Sequence, residues 1–366
     1  MKEDFLLRDI FNMRVIRHLS ERIKKVYPEF NQENFNKSIE KELEILDFGD
    51  RSKLIRKKLK EFLPNKFNTS AQILIDSLSP ELILENGKTD WDSFINVALS
   101  EYIGDYGLND YDISMKALYE MTKRCSSESG IRPFIRKYPK IFIILKQWTQ
   151  DKNVHVRRLV SEGTRPRLPL SSPLTEIKKD PSQVIELLEM LKDDPELYVR
   201  RSVANNLNDI SKDNPNIVIN LLKKWKINAT KERQWVIKHA LRTLFKQENK
   251  DALELMGYTN PEIANASISI DNPRIGESKY VEMKFTSLKN QKLMIDYVIH
   301  YMKANGKRSE KVFKMANKNV KKEVIILKKK HSFRQMTTRK HYPGIHYIEL
   351  IINGNRYSKY ELNLLS

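Results

Sequence analysis

The sequence holds a single cysteine, Cys125, among 366 residues. That excludes an internal disulfide and a cysteine metal site, and it suits a reducing, cytoplasmic setting. No apolar run approaches the roughly 18 residues that a membrane-spanning helix needs, so no transmembrane segment is expected. The opening residues, Met1 to Arg8, lack the basic, then apolar, then small order of a secretory signal. None of the seven histidines pairs with another at metal-ligand spacing, and the carboxylates form no metal-binding cluster, so neither a metal nor a cofactor is expected. A nucleotide-binding loop is also lacking, as are helix-turn-helix and zinc-finger signatures. Ligation, nuclease chemistry and sequence-specific regulation are disfavoured accordingly.

What is present is a core and an excess of positive charge. Hydrophobic residues make up 40 % and charged residues 31 %, the balance of a globular protein, and the length predicts two or three domains. A net charge of +19 and a pI near 9.6 attract polyanions, chiefly nucleic acid, although a lysine-rich surface without such a partner has the same composition. The excess is uneven. From Asn265 onward 21 Lys and Arg face 8 Asp and Glu, a net +13, which leaves +6 for the first 264 residues.

Residues 1–262 read as helices. Arg14–Val26, Asn34–Leu46, Gln72–Leu78 and Ser114–Thr122 carry apolar residues three or four apart, with Asp, Ser or Asn before many segments and Pro or Gly after them. Three segments superpose without gaps: Asn153–Glu162, Glu196–Asn205 and Arg233–Arg242. Their shared valines, Val156, Val199 and Val236, recur at 43 and 37 residues, a period near 40 that predicts a HEAT-like α-solenoid.

The repeats also carry a polar stripe. Two positions after each valine stand Arg158, Arg201 and Lys238, and one helical turn further stand Glu162, Asn205 and Arg242. Asp209 extends the Arg201–Asn205 row by another turn. Any one of these is an ordinary solvated face, with Arg158–Glu162 a surface ion pair worth at most about 1 kcal/mol. Three in register, in a chain of this charge, predict a ligand-facing groove.

Beyond about Pro261 short alternating runs take over: Ala266–Ile270, Tyr280–Phe285, Met294–Met302 and Tyr347–Ile352. The last meets Asn353-Gly354, a type I′ hairpin signal, before Arg356–Tyr360. Residues 265–366 are therefore expected to form a small all-β sandwich, immunoglobulin-like but without the disulfide. Lys328–Lys330, Arg334 and Arg339–His341 are placed in or beside its loops, as phosphate contacts or as solubilising edge charges.

One segment goes further. His155-Val-Arg-Arg-Leu-Val-Ser-Glu-Gly-Thr-Arg-Pro-Arg-Leu-Pro169 gathers four arginines around one glutamate and closely resembles the signature of the AlkC family of DNA alkylation repair glycosylases. Ser127–Phe134, Ser202–Ile210 and Trp235–Arg242 add to the resemblance, in the family's order, and the basic β-region is similar to the immunoglobulin-like extension of one branch. The chain departs from the motif at Leu170, where the family has an aromatic residue, and in the more polar run Ser126–Gly130. Both positions bear on how a lesion would pack.

The resemblance implies a monomeric enzyme of the bacterial cytoplasm and nucleoid that hydrolyses the N-glycosidic bond of N3-methylated adenine or cytosine in double-stranded DNA. An N3-methylated base is cationic and leaves readily, so the chief need is a carboxylate beside the oxocarbenium-like sugar, which also orients or deprotonates water. Glu162 is the first candidate and Glu128 the second, 34 residues and about one repeat apart. Arg157, Arg158, Arg165, Arg167, Arg200 and Arg201 are candidate phosphate contacts, with Asn205, Asp209, Lys238 and Arg242 along the same groove. About six such contacts predict a log–log salt slope near −5. Trp148 and Trp235 either pack on deoxyribose or a base or belong to the core. The rival reading is a non-catalytic HEAT-repeat scaffold, in which acidic groups in a DNA-binding groove would have no purpose.

Overall fold

Apolar residues three and four apart, with asparagines ahead of them, build the first helices. In the computed structural model, which describes residues 6–82, 91–336 and 340–366, Asn12 and Asn31 each accept a backbone N–H three residues on, and the next turn begins a helix. Helices α1 (Met13–Val26), α2 (Gln32–Leu43), α3 (Phe48–Phe62) and α4 (Phe67–Asp76) are followed by α5 (Ile95–Tyr106), α6 (Tyr111–Thr122), α7 (Arg132–Lys137) and α8 (Ile141–Trp148). Then come α9 (Val154–Gly163), α10 (Thr175–Lys179), α11 (Ser182–Leu191), α12 (Leu197–Ile210), α13 (Pro215–Lys226), α14 (Lys231–Ala240), α15 (Arg242–Lys246) and α16 (Lys250–Leu255). Among the described residues, no helix is long and apolar enough to cross a membrane.

The described chain divides into two compact units. The first runs to Asn214 and includes Asn228–Ala240; the second joins Pro215–Ile227 to Leu241–Ser366. In the first unit the three repeat segments become α9, α12 and α14, with α12 packed between the other two, while α8 and α11 form the layer behind. Val156, Val199 and Val236 are fully buried, as are Val160, Val203 and Ala240 one turn on. The repeat read from the sequence is thus a set of stacked helices with one continuous apolar side.

In the second unit alternation gives strands. β1 (Ile263–Ile270), β2 (Ser278–Ser287) and β5 (Val324–Ser332) form a three-stranded sheet in the order β1-β2-β5. β3 (Gln291–Met302), β4 (Arg308–Val320), β6 (Gly344–Ile352) and β7 (Asn355–Leu364) form a four-stranded sheet in the order β4-β3-β6-β7. All pairs are antiparallel, and Val281, Phe285, Ile295, Tyr297, Ile348 and Leu362 fill the space between the sheets. Asn353 and Gly354 both take positive φ (48° and 75°), the type I′ geometry their sequence signals. One placement needs correction. Lys328–Lys330 lie on strand β5 and not in a loop, because Val324–Leu327 before them alternate and pair with β2. Arg334 follows that strand, and Arg339 lies outside the described residues.

Candidate active site

Two adjacent arginines open each of the first two repeat helices, and their roles divide. Arg157 donates to the carbonyls of Asp151 and Lys152, six and five residues back, and Arg200 donates to the carbonyls of Asp194 and Pro195 at the same two offsets. Arg157 further grips the buried Asp194 carboxylate at 2.6 and 3.2 Å. The first arginine of each pair therefore ties the preceding loop to its helix. Both were expected at phosphates, and the structure turns both toward loop carbonyls.

The second arginine of the first pair, Arg158, faces its neighbours across the repeats. Arg158 donates Nη1 to Oε2 of Glu128 at 2.8 Å, and its Nη2 lies 3.6 Å from Oε1 of Glu162. Glu162 is 5 % exposed and fully bonded: Arg165 Nη1 reaches Oε1 at 2.6 Å and the Ser202 hydroxyl donates to Oε2 at 2.6 Å. Arg165 in turn donates Nε to Oδ2 of Asp209 at 2.8 Å, and Lys212 donates to Oδ1 at 2.8 Å. Glu128, Arg158, Glu162, Arg165, Asp209 and Lys212 thus form one chain of alternating charge. Burial works against ionisation of Glu162, but Arg158, Arg165 and Ser202 outweigh it and hold its carboxyl below the usual range. Arg158 is half-buried and loses hydration there, and Glu128, Tyr198 and Glu162 overcome that cost and keep it charged. Glu128 is more open, accepting on Oε2 from Arg158 and from the Ser126 hydroxyl, while its Oε1 has no partner among the described residues.

The helix period explains how α12 builds one wall. Tyr198, Ser202, Asn206 and Asp209 follow at intervals of four, four and three residues and share the face turned to α9. Ser202 takes Glu162, Asn206 donates to the Ser161 carbonyl and the Thr164 hydroxyl, and Asp209 takes Arg165. Asp209 therefore belongs to this buried row, whereas its expected neighbours differ: Arg201 is exposed and Asn205 half-buried, 3.3 Å from His239 Nε2. The expected surface ion pair Arg158–Glu162 instead joins a half-buried arginine to a buried carboxylate within that chain.

Beyond Glu162 the chain turns sharply through Gly163–Pro173. The buried guanidinium of Arg132 holds that turn through the carbonyls of Gly163, Arg165 and Ser172, and Arg136 adds bonds to Ser172. Burial, with Arg136 and Arg165 nearby, lowers the Arg132 pKa to about 10. Leu170 stands out on the turn, 82 % exposed and in the left-handed region at φ 58°.

The remaining expected residues lie apart from this cluster. Arg167 is exposed and forks onto Asp213 at 2.9 and 2.6 Å. Trp148 is half-buried against Tyr119, ring centroids 5.5 Å apart. On α14, Trp235 is exposed and stacks on His239 at 4.9 Å, and Lys238 beside it is exposed. Arg242 opens α15, in the second unit. Sequence reasoning missed Ser202, Tyr198, Arg132 and Lys212. A signal existed for two of them. Ser202 is a hydroxyl where the first repeat has the buried Leu159, and Tyr198 aligns with His155 and Trp235, a ring in every repeat.

Stacked helical repeats, a partly buried chain of acids and bases on their polar side and a basic β-sandwich define a multidomain HEAT-like protein of the DNA-repair type. Residues 121–244 match the family model "DNA alkylation repair enzyme", and residues 262–366 match "Uncharacterised protein YhaZ, C-terminal Ig-like domain". The chain is 37 % identical over 354 residues to the uncharacterized protein YhaZ of Bacillus subtilis (strain 168), covering 95 % of this chain and 96 % of that one. It is also similar to the solved structure of the Pseudomonas fluorescens alkylpurine DNA glycosylase AlkC bound to DNA containing an abasic site analog. The TM-score is 0.88 at 34 % identity, over 99 % of this chain and all of the other. The chain belongs to the AlkC family of DNA alkylation repair glycosylases, in the branch with a C-terminal immunoglobulin-like domain.

Proposed function

We propose that this chain is a metal-independent glycosylase that releases cationic N3-methylated bases, 3-methyladenine or 3-methylcytosine, from double-stranded DNA at the nucleoid. The observation that carries the reading is the pair of carboxylates, Glu128 and Glu162, on either side of Arg158. A protein of net charge +19 that only gripped phosphate would gain nothing from acids in its groove. Acids help where positive charge develops on a sugar.

Glu128 is the carboxylate that meets the nucleotide in this reading, because one of its oxygens has no partner among the described residues whereas both oxygens of Glu162 are taken. As the C1′–N bond breaks, its electron pair leaves with the base, which becomes neutral. The sugar becomes oxocarbenium-like, water adds at C1′, and Glu128 accepts the water's proton. Glu162, held as an anion, stabilises the same positive charge from within and keeps Arg158 and Arg165 in place. Two carboxylates also favour a cationic base over its neutral parent. Phosphate contacts fall to the exposed cations Arg201, Lys238 and Arg167, with Trp235 available to a sugar or base. In the second unit Lys303, Lys307, Arg308 and Lys340 line a cavity of about 590 Å³ with Tyr342 and are the strongest candidates for backbone contacts there.

The test is release of free base from duplex DNA carrying each lesion, in chelator, by the wild type and by Glu128→Gln. Release from both lesions that collapses in the variant while DNA affinity persists supports the reading. Tight binding without release from either favours the non-catalytic scaffold.

A further inference from the structure

Tyr198, half-buried, opens the row of α12 turned to α9, and its ring carries the central cation of the charge chain: the Arg158 guanidinium carbon stands 4.8 Å from the ring centroid. The His155 ring meets it edge-on, 5.6 Å away at 76°. Arg158 thus has an aromatic ring beside its guanidinium and two carboxylates near it, Glu128 at 2.8 Å and Glu162 at 3.6 Å. An arginine held by carboxylates alone has several ways to reach them, and an aromatic platform removes that freedom.

We propose that Tyr198 is a positioning residue: by seating Arg158 it fixes how Glu128 and Glu162 are spaced, and so governs base release without touching the substrate. The inference rests on the glycosylase reading above. The repeats support the assignment, because Tyr198 shares its aligned position with His155 and Trp235, so a ring at this point is a feature of the repeat rather than an accident of one helix.

The test compares the wild type, Tyr198→Leu and Tyr198→Phe in single-turnover release of 3-methyladenine from duplex DNA. Affinity for abasic DNA and melting temperature are measured on the same preparations. Tyr198→Leu slows release about ten-fold or more at unchanged affinity, and the acidic limb of its pH–rate profile moves to higher pH. The limb moves up because Glu162, whose carboxyl Arg158 helps to hold ionised, loses part of that neutralising charge. Arg165 after α9, His155 on α9 and Asp209 on α12 are unaltered. Tyr198→Phe keeps the platform and restores both rate and limb. The carbon-13 shift of the Glu162 carboxyl gives a readout that needs no turnover, titrating at higher pH in Tyr198→Leu. Wild-type rate, limb and titration in that variant, or a rate loss that only follows its melting temperature, overturns the inference. Absence of release by the wild type contradicts the glycosylase reading instead, and the carboxyl titration then decides the place of Tyr198 by itself.

Discussion

Ser202 on α12 donates its hydroxyl to Oε2 of Glu162 on α9 at 2.6 Å, with both side chains buried. Removing it in Ser202→Ala leaves one oxygen of a buried carboxylate without its donor. The cost is about 1–2 kcal/mol of stability at pH 7, read by denaturant unfolding. The pH dependence follows from sign. Glu162 has a lowered pKa in the folded state, so its contribution is fully present above the ordinary value of 4.5 and is lost as pH falls through the folded value. In the variant the folded value lies closer to 4.5, so that loss is smaller and ends at higher pH, and the stability difference between the two proteins shrinks toward pH 3.

The paired arginines separate by role. Arg157→Ala breaks a buried ion pair with Asp194 and two loop bonds, and lowers stability by about 3 kcal/mol. Arg201→Ala and Lys238→Ala leave melting unchanged but each lowers the log–log salt slope of DNA binding by about 1. A fall in slope for Arg157→Ala at intact stability would return that residue to the DNA interface.

Asp296 gives the second unit a pH response of opposite sign. It lies at the bulge of β3, where burial raises its pKa to about 6 against the pull of Lys314, Lys329 and Lys246. A folded pKa above the unfolded value means stability that is present at low pH and lost as pH rises through about 6. Asp296→Asn should therefore stabilise the protein by about 2 kcal/mol at pH 8 and hardly at all at pH 4. Thermal unfolding at the two pH values checks this.

The basic cavity of the β-sandwich supplies a separate prediction. Replacing Lys303, Lys307, Arg308 and Lys340 with glutamine together should weaken binding to duplex DNA of any sequence and lower its salt slope, with base release from saturated complexes unchanged. Unaltered affinity at low and moderate salt would remove this face from the DNA contact.

Periodicity made the architecture legible. Valines spaced by a repeat, and the switch to alternation near Pro261, located the stacked helices and five of the seven strands. β4 and β5 escaped because lysines and asparagines interrupt their alternation: both lie at the margin of a sheet, where one edge and one face meet water. The two glutamates were legible through a family motif. Their wiring was not, because a row of residues four apart does not reveal which way the helix is turned. Arg201, Asn205 and Asp209 read as one stripe, yet Asp209 fits as well with Tyr198, Ser202 and Asn206, and packing against α9 decided between them. Likewise, nothing in an Arg-Arg pair says which arginine ties a loop and which faces a carboxylate; the backbone carbonyls at the start of each helix settle that.

The most direct test of the account is base release from duplex DNA bearing 3-methyladenine, in chelator, by the wild type, Glu128→Gln and Glu162→Gln. The account predicts release by the wild type and a loss of about 10²–10³ in rate for Glu128→Gln with DNA affinity and melting intact. It predicts a loss for Glu162→Gln accompanied by lower stability, since that side chain also ties α9 to α12. Full activity in Glu128→Gln, or tight binding with no base released by the wild type, would contradict it.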